Sequence, residues 1–134
     1  MFNIYNRKTR ITYDRMARVK REGSPLYSWT VPVTAAGATS IIHVPTQFPD
    51  SRKYEPLDSI EIANNEAAND LTLTINNQDA RYVPAGTIRR ISGNGIALWH
   101  IAVTNNGAGN TTLGKIIVTL QREPLTMDKW IAGK

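Results

Sequence analysis

The sequence contains no cysteine, which excludes a disulfide framework and a zinc site built on thiolates. It also has no apolar run that approaches the roughly 20 residues needed for a membrane-spanning helix. The N-terminal sequence MFNIYNRKTR lacks the apolar stretch of a secretion signal. We therefore expect a soluble protein that is made and first folded in the cytoplasm and has no membrane partner.

Motifs for catalysis or cofactor binding are also missing. His43 and His100 lie on separate predicted strands with no carboxylate at the spacing of a metal site, so we expect structural roles for both. The candidates for a pair of catalytic acids lie near one long loop; they are Asp50, Glu55, Asp58 and Glu61. Three of them lie among Arg52, Lys53 and proline, which is typical of a solvated loop and not of a paired-acid active site. We predict a protein that is not an enzyme and binds no cofactor or metal ion.

Positive charge is concentrated at the start of the chain. Residues 1–21 contain seven basic residues and one acid, a net charge of 7 − 1 = +6, whereas residues 22–134 contain nine basic and ten acidic residues, 9 − 10 = −1. The predicted partner-binding residues are the seven cations Arg7, Lys8, Arg10, Arg15, Arg18, Lys20 and Arg21. Such an arm is typical of attachment to an acidic protein, and nucleic acid stays a second option because Lys/Arg clusters displace phosphate counterions.

The chain divides into three segments. Residues 1–22 form the basic arm, in which a helix over Thr9–Arg21 has only a thin apolar stripe and is expected to order against something else. Gly23-Ser24-Pro25 marks the boundary with the body, residues 23–123. Residues 124–134 form a C-terminal tail, where we predict that Trp130 is the contact residue. It either folds back on its own subunit or anchors the tail on a neighbouring one, since a buried Trp is a frequent interface hot spot.

The body has the alternating apolar pattern of β-strands. We predict strands over Tyr27–Val33, Thr39–Val44, Ser59–Ala63, Leu71–Ile75, Arg81–Val83, Thr87–Ile91, Ile96–Thr104 and Leu113–Arg122, with an irregular loop over Pro45–Pro56. Pro32 predicts that the first strand lies at a sheet edge. Trp29 and Trp99 are assigned to the core or to a subunit contact. The fold class is therefore all-β, a β-sandwich or jelly roll of about eight antiparallel strands with an extended basic N-terminal arm.

One phrase occurs twice. The segments 60–69 and 101–110 both read as a β-branched strand that ends in Asn-Asn-x-Ala-x-Asn. Asn tolerates left-handed backbone conformations and hydrogen-bonds its own turn, which suits a loop between strands. We predict two equivalent hairpins, one from each half of a sandwich. The alternative is that two Asn-rich loops simply resemble one another.

From Ile60 to Arg122 the order of strands and turns, "I-x-I-x-N-N … V-P-A-G-T-I … I-x-V-x-N", resembles small β-sandwich modules in virion proteins of tailed bacteriophages and related viruses, including capsid decoration and tail accessory subunits. The resemblance implies a symmetric oligomer placed on a particle, with terminal extensions that reach neighbouring subunits. It also implies synthesis in the host cytoplasm and a final location in the virion.

We predict a non-enzymatic virion structural protein, most simply a capsid decoration or cement subunit. It is expected to form a homo-oligomer and to attach through residues 1–22 to another capsid or tail protein. An alternative is a carbohydrate-binding β-sandwich that uses the loop asparagines Asn64, Asn65, Asn105 and Asn106. A third hypothesis is nucleic-acid binding through the basic arm.

Overall fold

The computed structural model describes residues 17–18, 25–92 and 96–122. Most of the predicted arm therefore lies outside the described residues, and so does the helix proposed over Thr9–Arg21 except for residues 17–18. The same is true of the tail, 124–134, with its predicted contact residue Trp130. Of the seven arm cations, Arg18 alone is within the described part of the chain.

The body consists of eight strands and two short helical turns. The strands are β1 Tyr27–Thr30, β2 Thr39–His43, β3 Ser59–Asn64, β4 Leu71–Ile75, β5 Asp79–Val83, β6 Thr87–Ser92, β7 His100–Asn105 and β8 Ile116–Gln121. A four-residue helix, α1 Val44–Gln47, and a 3-10 helix, Pro49–Lys53, follow β2. All strand pairs are antiparallel and form two four-stranded sheets, so the predicted sandwich-like all-β class is confirmed.

The strands pair in a nested order. The two sheets have the orders β1-β8-β3-β6 and β2-β7-β4-β5, so the first strand pairs with the eighth, the second with the seventh, the third with the sixth and the fourth with the fifth. Exchanging β1–β4 for β5–β8 converts one sheet order into the other. Strand β1 ends its sheet and Pro32 follows it, which confirms the predicted edge position.

The nested order gives the sandwich two different ends. The connections that follow β1, β3, β5 and β7 meet at one end, where the backbone N–H of Thr111 donates to Thr34 at 3.0 Å. We call this the asparagine end; it comprises residues 31–38, 65–70, 84–86 and 106–115. The opposite end, which we call the terminal end, contains the start of β1, the close of β8 and both helical turns.

The core lies between the sheets and follows the predicted alternation. Every second residue of β4 is buried, which places Leu71, Leu73 and Ile75 inside, and Ile60 and Ile62 of β3 are fully buried opposite them. Trp29 is also in the core. Burial of these side chains is the main favourable term for the fold, at roughly 25 cal/mol per Å² of apolar surface.

The last two strands are shorter than the sequence indicated. Residues 96–99 precede β7: the N–H of Leu98 donates to Leu57 at 2.9 Å, and the carbonyl of Trp99 accepts from Val44 at 2.8 Å. Their backbone is therefore bound by the long connection after β2, while the side chain of Leu98 is buried and Trp99 is 40% exposed. Leu113, at 64% exposure, belongs to a turn that includes Gly114 at φ 89°.

Two further expectations for the connections were wrong. The predicted irregular loop over Pro45–Pro56 contains α1 and the 3-10 helix, both of which begin near a proline whose missing N–H costs nothing in a first turn. The predicted first strand, Tyr27–Val33, includes Val33 on the same side as Trp29. In the structure Val33 is exposed, because the chain leaves the sheet at Pro32.

Ile62→Ala is expected to lower the free energy of unfolding by about 2–5 kcal/mol, because it leaves a cavity between the sheets. Ile88→Ala, at a 64% exposed position of β6, is the control and should change it by less than about 0.5 kcal/mol. Urea unfolding at neutral pH measures both. Equal losses for the two variants would contradict the assignment of Ile62 to the core.

Candidate functional site

The asparagine end is organised around Asn64, the last residue of β3, whose side chain is fully buried. Its Oδ1 accepts a hydrogen bond from the N–H of Glu66 at 3.1 Å. Its Nδ2 donates to the carbonyls of Asn69 at 2.9 Å and Val83 at 3.2 Å. One amide therefore closes its own loop and binds it to the end of β5.

Asn105, the last residue of β7, makes the corresponding set of contacts and is equally buried. Its Oδ1 accepts from the N–H of Gly107 at 2.9 Å. Its Nδ2 donates to the carbonyls of Gly109 at 2.8 Å and Thr34 at 3.0 Å. In this half of the sandwich, the amide binds its loop to the segment after β1.

The second asparagine of each phrase repeats the correspondence through the backbone. The N–H of Asn65 donates to Lys115, just before β8, at 2.9 Å, and the N–H of Asn106 donates to Asp70, just before β4, at 2.8 Å. The two copies of the phrase therefore occupy equivalent places in the two halves, as predicted, but neither copy forms the predicted hairpin. Strands β3 and β4 belong to different sheets, as do β7 and β8, so each phrase carries the chain across the sandwich.

The two Asn-rich loops also contact one another. Asn69 donates from Nδ2 to the carbonyl of Asn110 at 3.2 Å, and a carboxylate oxygen of buried Glu66 accepts from the N–H of Thr112. Gly107 lies so close that an added Cβ would stand 2.9 Å from the Cα of Asn69. The loops therefore form one interlocked unit. In the sequence, this close contact is reflected by glycine at position 107, where the first copy of the phrase has Glu66.

Exposed charge is scarce at the asparagine end. The ionisable residues in its four connections are Glu66, which is buried, Asp70 and Lys115. The carboxylate of Asp70 accepts from the Ala85 N–H at 2.9 Å and from the Tyr82 hydroxyl at 2.7 Å. Both bonds lower the pKa of Asp70, the one from Ala85 more strongly, and the same contact with Asp70 raises the pKa of Tyr82.

Strands β5 and β6 form a charged edge instead. The Nε of Arg81 donates to Asp79 at 2.8 Å, and this bond lowers the pKa of Asp79. Arg89 donates from Nη1 to the carbonyl of Tyr82 at 2.7 Å and so connects the two strands. Arg90 is exposed and lies opposite Glu61 in the register of β6 against β3.

Two of the candidate catalytic acids, Asp50 and Glu61, lie in different parts of the body. Asp50 of the 3-10 helix accepts from the hydroxyl of Tyr27 at 3.1 Å and pairs with Lys53 at 3.3 Å. Burial, with the bond to Asp50, raises the pKa of Tyr27. Glu61 lies elsewhere, on β3 opposite Arg90, so the structure gives these two acids separate cationic neighbours and no common site.

The two histidines are register partners, a relation that the sequence did not predict. His43 of β2 faces His100 of β7, with ring centroids 6.4 Å apart. Asn76 accepts the backbone N–H groups of Trp99 at 2.9 Å and His100 at 3.1 Å, which fixes this part of β7. Across residues 17–18, 25–92 and 96–122 there is no cluster of three or more His, Cys, Asp or Glu that would hold a metal ion.

Within the same ranges, no helix has the length and apolar character to cross a membrane. No known protein family and no curated protein matches this chain. The site is therefore assigned from its geometry: an asparagine end with interlocked loops and little exposed charge, a charged β5/β6 edge, and a terminal end where the described body begins at residue 25 and ends at residue 122.

Asn105→Ala is expected to cost about 1–3 kcal/mol of stability, because it leaves Thr34, Gly109 and Gly107 backbone groups without their partner. Asn65→Ala, at the exposed second asparagine of the first copy of the phrase, should cost less than about 0.5 kcal/mol. Thermal or urea unfolding distinguishes them. If the two substitutions were equally mild, the buried amide would not be holding the loops.

Asp70→Asn is expected to lower the melting temperature at pH 7. The folded pKa of Asp70 lies below its ordinary value of 3.8, so its stabilising contribution is complete above that value and is lost as the pH falls through the folded pKa. The difference from the wild type should therefore shrink at low pH. Tyr82→Phe removes the weaker of the two donors and should give a smaller loss with the same trend; a pH-independent difference would contradict this account.

Proposed function

We propose that this protein is a non-enzymatic structural subunit of a virion, acting as a capsid decoration or cement protein that assembles with copies of itself and attaches through residues 1–22. The observation that carries the proposal is the separation of charge from fold. Residues 25–92 and 96–122 contain seven basic and seven acidic side chains, a net charge of 7 − 7 = 0, whereas residues 1–21 carry +6. The charges of the described body balance without the arm, so the positive charge of the arm is available to bind a partner.

The strand order supports the proposal at the level of architecture. The nested pairing of first with eighth, second with seventh, third with sixth and fourth with fifth is the order of a jelly roll, a fold used by viral capsid proteins, lectins and cupins. A fold of this kind hosts several functions and does not decide between them. The choice between these functions is therefore argued from the surface of the sandwich and from the charge of the arm.

The surface of the asparagine end favours a protein contact. Exposed Val33 and Leu113 lie among small and amide side chains, and charged side chains are typically depleted from the centre of protein interfaces. The interlocked loops hold this surface in one conformation before binding, which reduces the entropy lost on association. The first described residue of the body, Pro25, precedes β1 at the opposite, terminal end.

The carbohydrate-binding alternative loses two of its four residues. Asn64 and Asn105 are buried, and both ends of each amide bond to the protein itself. Asn65 and Asn106 are exposed, but the Nδ2 of Asn106 donates to Thr72 at 2.7 Å. A sugar platform built from all four amides is therefore not available.

The proposal is tested by fractionation of particles from cells that encode the protein. Wild-type chain is expected to band with purified virus particles at moderate salt. A variant with all seven arm cations replaced by Gln should remain in the soluble fraction, because attraction between exposed charges needs both partners. Arg52→Gln/Lys53→Gln, which removes two exposed cations from the body, is the control and should band like the wild type.

Two outcomes would count against the proposal. Absence of wild-type chain from the particle fraction would refute a virion role, and equal banding of the arm variant would refute attachment through the arm. Nuclease treatment separates the remaining partners: if it releases the wild-type chain from particles, the arm binds phosphate and not an acidic protein.

A further inference from the structure

The two sheets end in four strands that each have one neighbour within the described residues: β1 and β6 in one sheet, β2 and β5 in the other. An edge strand presents unpaired N–H and C=O groups and readily pairs with another chain. Proteins commonly oppose such pairing with charged side chains at the edge. Exchange of the first half, β1–β4, for the second, β5–β8, maps β1 onto β5 and β2 onto β6. Each edge strand can therefore be compared with the strand that has the same place in the other half.

The equivalent positions follow from the registers. Ile41 lies opposite Ala102, three residues before Asn105, and Arg90 lies opposite Glu61, three residues before Asn64. By the same count Ser40 corresponds to Arg89. In the other pair of edges, Trp29 opposes the third residue of β8 and Arg81 the third of β4, while Tyr27 and Asp79 each oppose the fifth.

The comparison shows a complete difference in charge. All four charged residues of β5 and β6 are replaced on β1 and β2 by uncharged ones: Asp79 by Tyr27, Arg81 by Trp29, Arg89 by Ser40 and Arg90 by Ile41. The side chain of Ile41 points away from the core and is 56% exposed. Since both edges have the same place in the fold, the fold itself does not require this difference.

Strand β2 also presents its backbone at a regular spacing. Ala38 accepts from Asn105 at 3.0 Å and Val44 donates to Trp99 at 2.8 Å, so the even-numbered residues of this strand bond toward β7. In an antiparallel ladder alternate residues bond to alternate sides. Thr39, Ile41 and His43 therefore direct their N–H and C=O groups to the outer edge, with Ile41 in the middle of the three.

We propose that β2 pairs antiparallel with β2 of a second copy of this chain, centred on Ile41, and joins two four-stranded sheets into one of eight strands. A two-fold axis at this point places Ile41 opposite Ile41 and Thr39 opposite His43, without opposing like charges. The neutral body, 7 − 7 = 0, does not repel its copy. A two-fold contact of this kind closes on itself. The proposal names a surface for self-association and stands independently of the virion role.

The test is sedimentation velocity of the full-length chain over a wide concentration range in 0.5 M salt. The weight-average mass of the wild type should rise from 14.9 kDa toward twice that value. Ile41→Arg gives β2 the residue type found at the equivalent position of β6, Arg90. This variant should remain monomeric. Ile88→Arg makes the same change at a 64% exposed position of β6 and should associate like the wild type.

Hydrogen exchange supplies a second measurement. The amides of Thr39, Ile41 and His43 should become protected as the wild-type concentration rises, while circular dichroism verifies that both variants remain folded. A wild type that stays monomeric, or an Ile41→Arg variant that still associates, would overturn the proposal, as would association that disappears in 0.5 M salt and therefore depends on the arm. Binding of a peptide of residues 124–134 to β2 in competition with self-association would replace the second copy by the tail.

Particle attachment and edge pairing fail separately. If Ile41→Arg is monomeric but still bands with particles, the edge proposal holds and attachment does not need it. If the arm variant leaves the particle fraction but still forms dimers, the two activities belong to different parts of the chain.

Discussion

Two buried amide side chains hold the asparagine end of the sandwich together. A buried amide without hydrogen bonds would destabilise the fold, but Asn64 and Asn105 each satisfy both ends within the protein. Each joins its own loop to a backbone carbonyl of the other half of the sandwich: Val83 at the end of β5 for Asn64, and Thr34 in the connection after β1 for Asn105. These bonds therefore hold the loops at the points where the chain crosses between the sheets.

The strands were predictable because their periodicity is local. In β3 and β4 the alternation of apolar residues is regular, and its buried face is the one expected. The connections were not predictable in the same way, since an Asn-rich turn looks alike whether it joins neighbours in a sheet or crosses between sheets. The decision is made by a carbonyl distant in sequence: Thr34 is 71 residues from Asn105. Hydrophobicity likewise predicts a strand over the apolar run 96–99, because it does not show that the backbone there bonds to Leu57 and Val44.

The site was less predictable than the fold because its members are defined by register. His43 and His100 are ordinary strand residues until β2 is paired with β7, and the relation of Ile41 to Arg90 exists only after both registers are known. The concentration of charge in residues 1–21, in contrast, is complete in the sequence and needed no structure. Sequence reasoning therefore predicts a partner-binding role for the arm but could not distinguish one edge of the body from the other.

Internal equivalence turns that distinction into an argument about function. Where the halves agree, as at Asn64 and Asn105, the shared feature meets a need of the fold, because the same backbone groups must be satisfied twice. The halves differ in the charge of their edge strands, β1 and β2 against β5 and β6. The fold accepts both charged and uncharged residues at these positions, so a requirement other than folding must account for the difference. Charged side chains on β5 and β6 oppose the pairing of these strands with another chain, although Arg81 and Arg89 are only partly exposed. The uncharged edge gains nothing in an isolated monomer, where it is a hazard for aggregation; it becomes useful when a defined partner covers it.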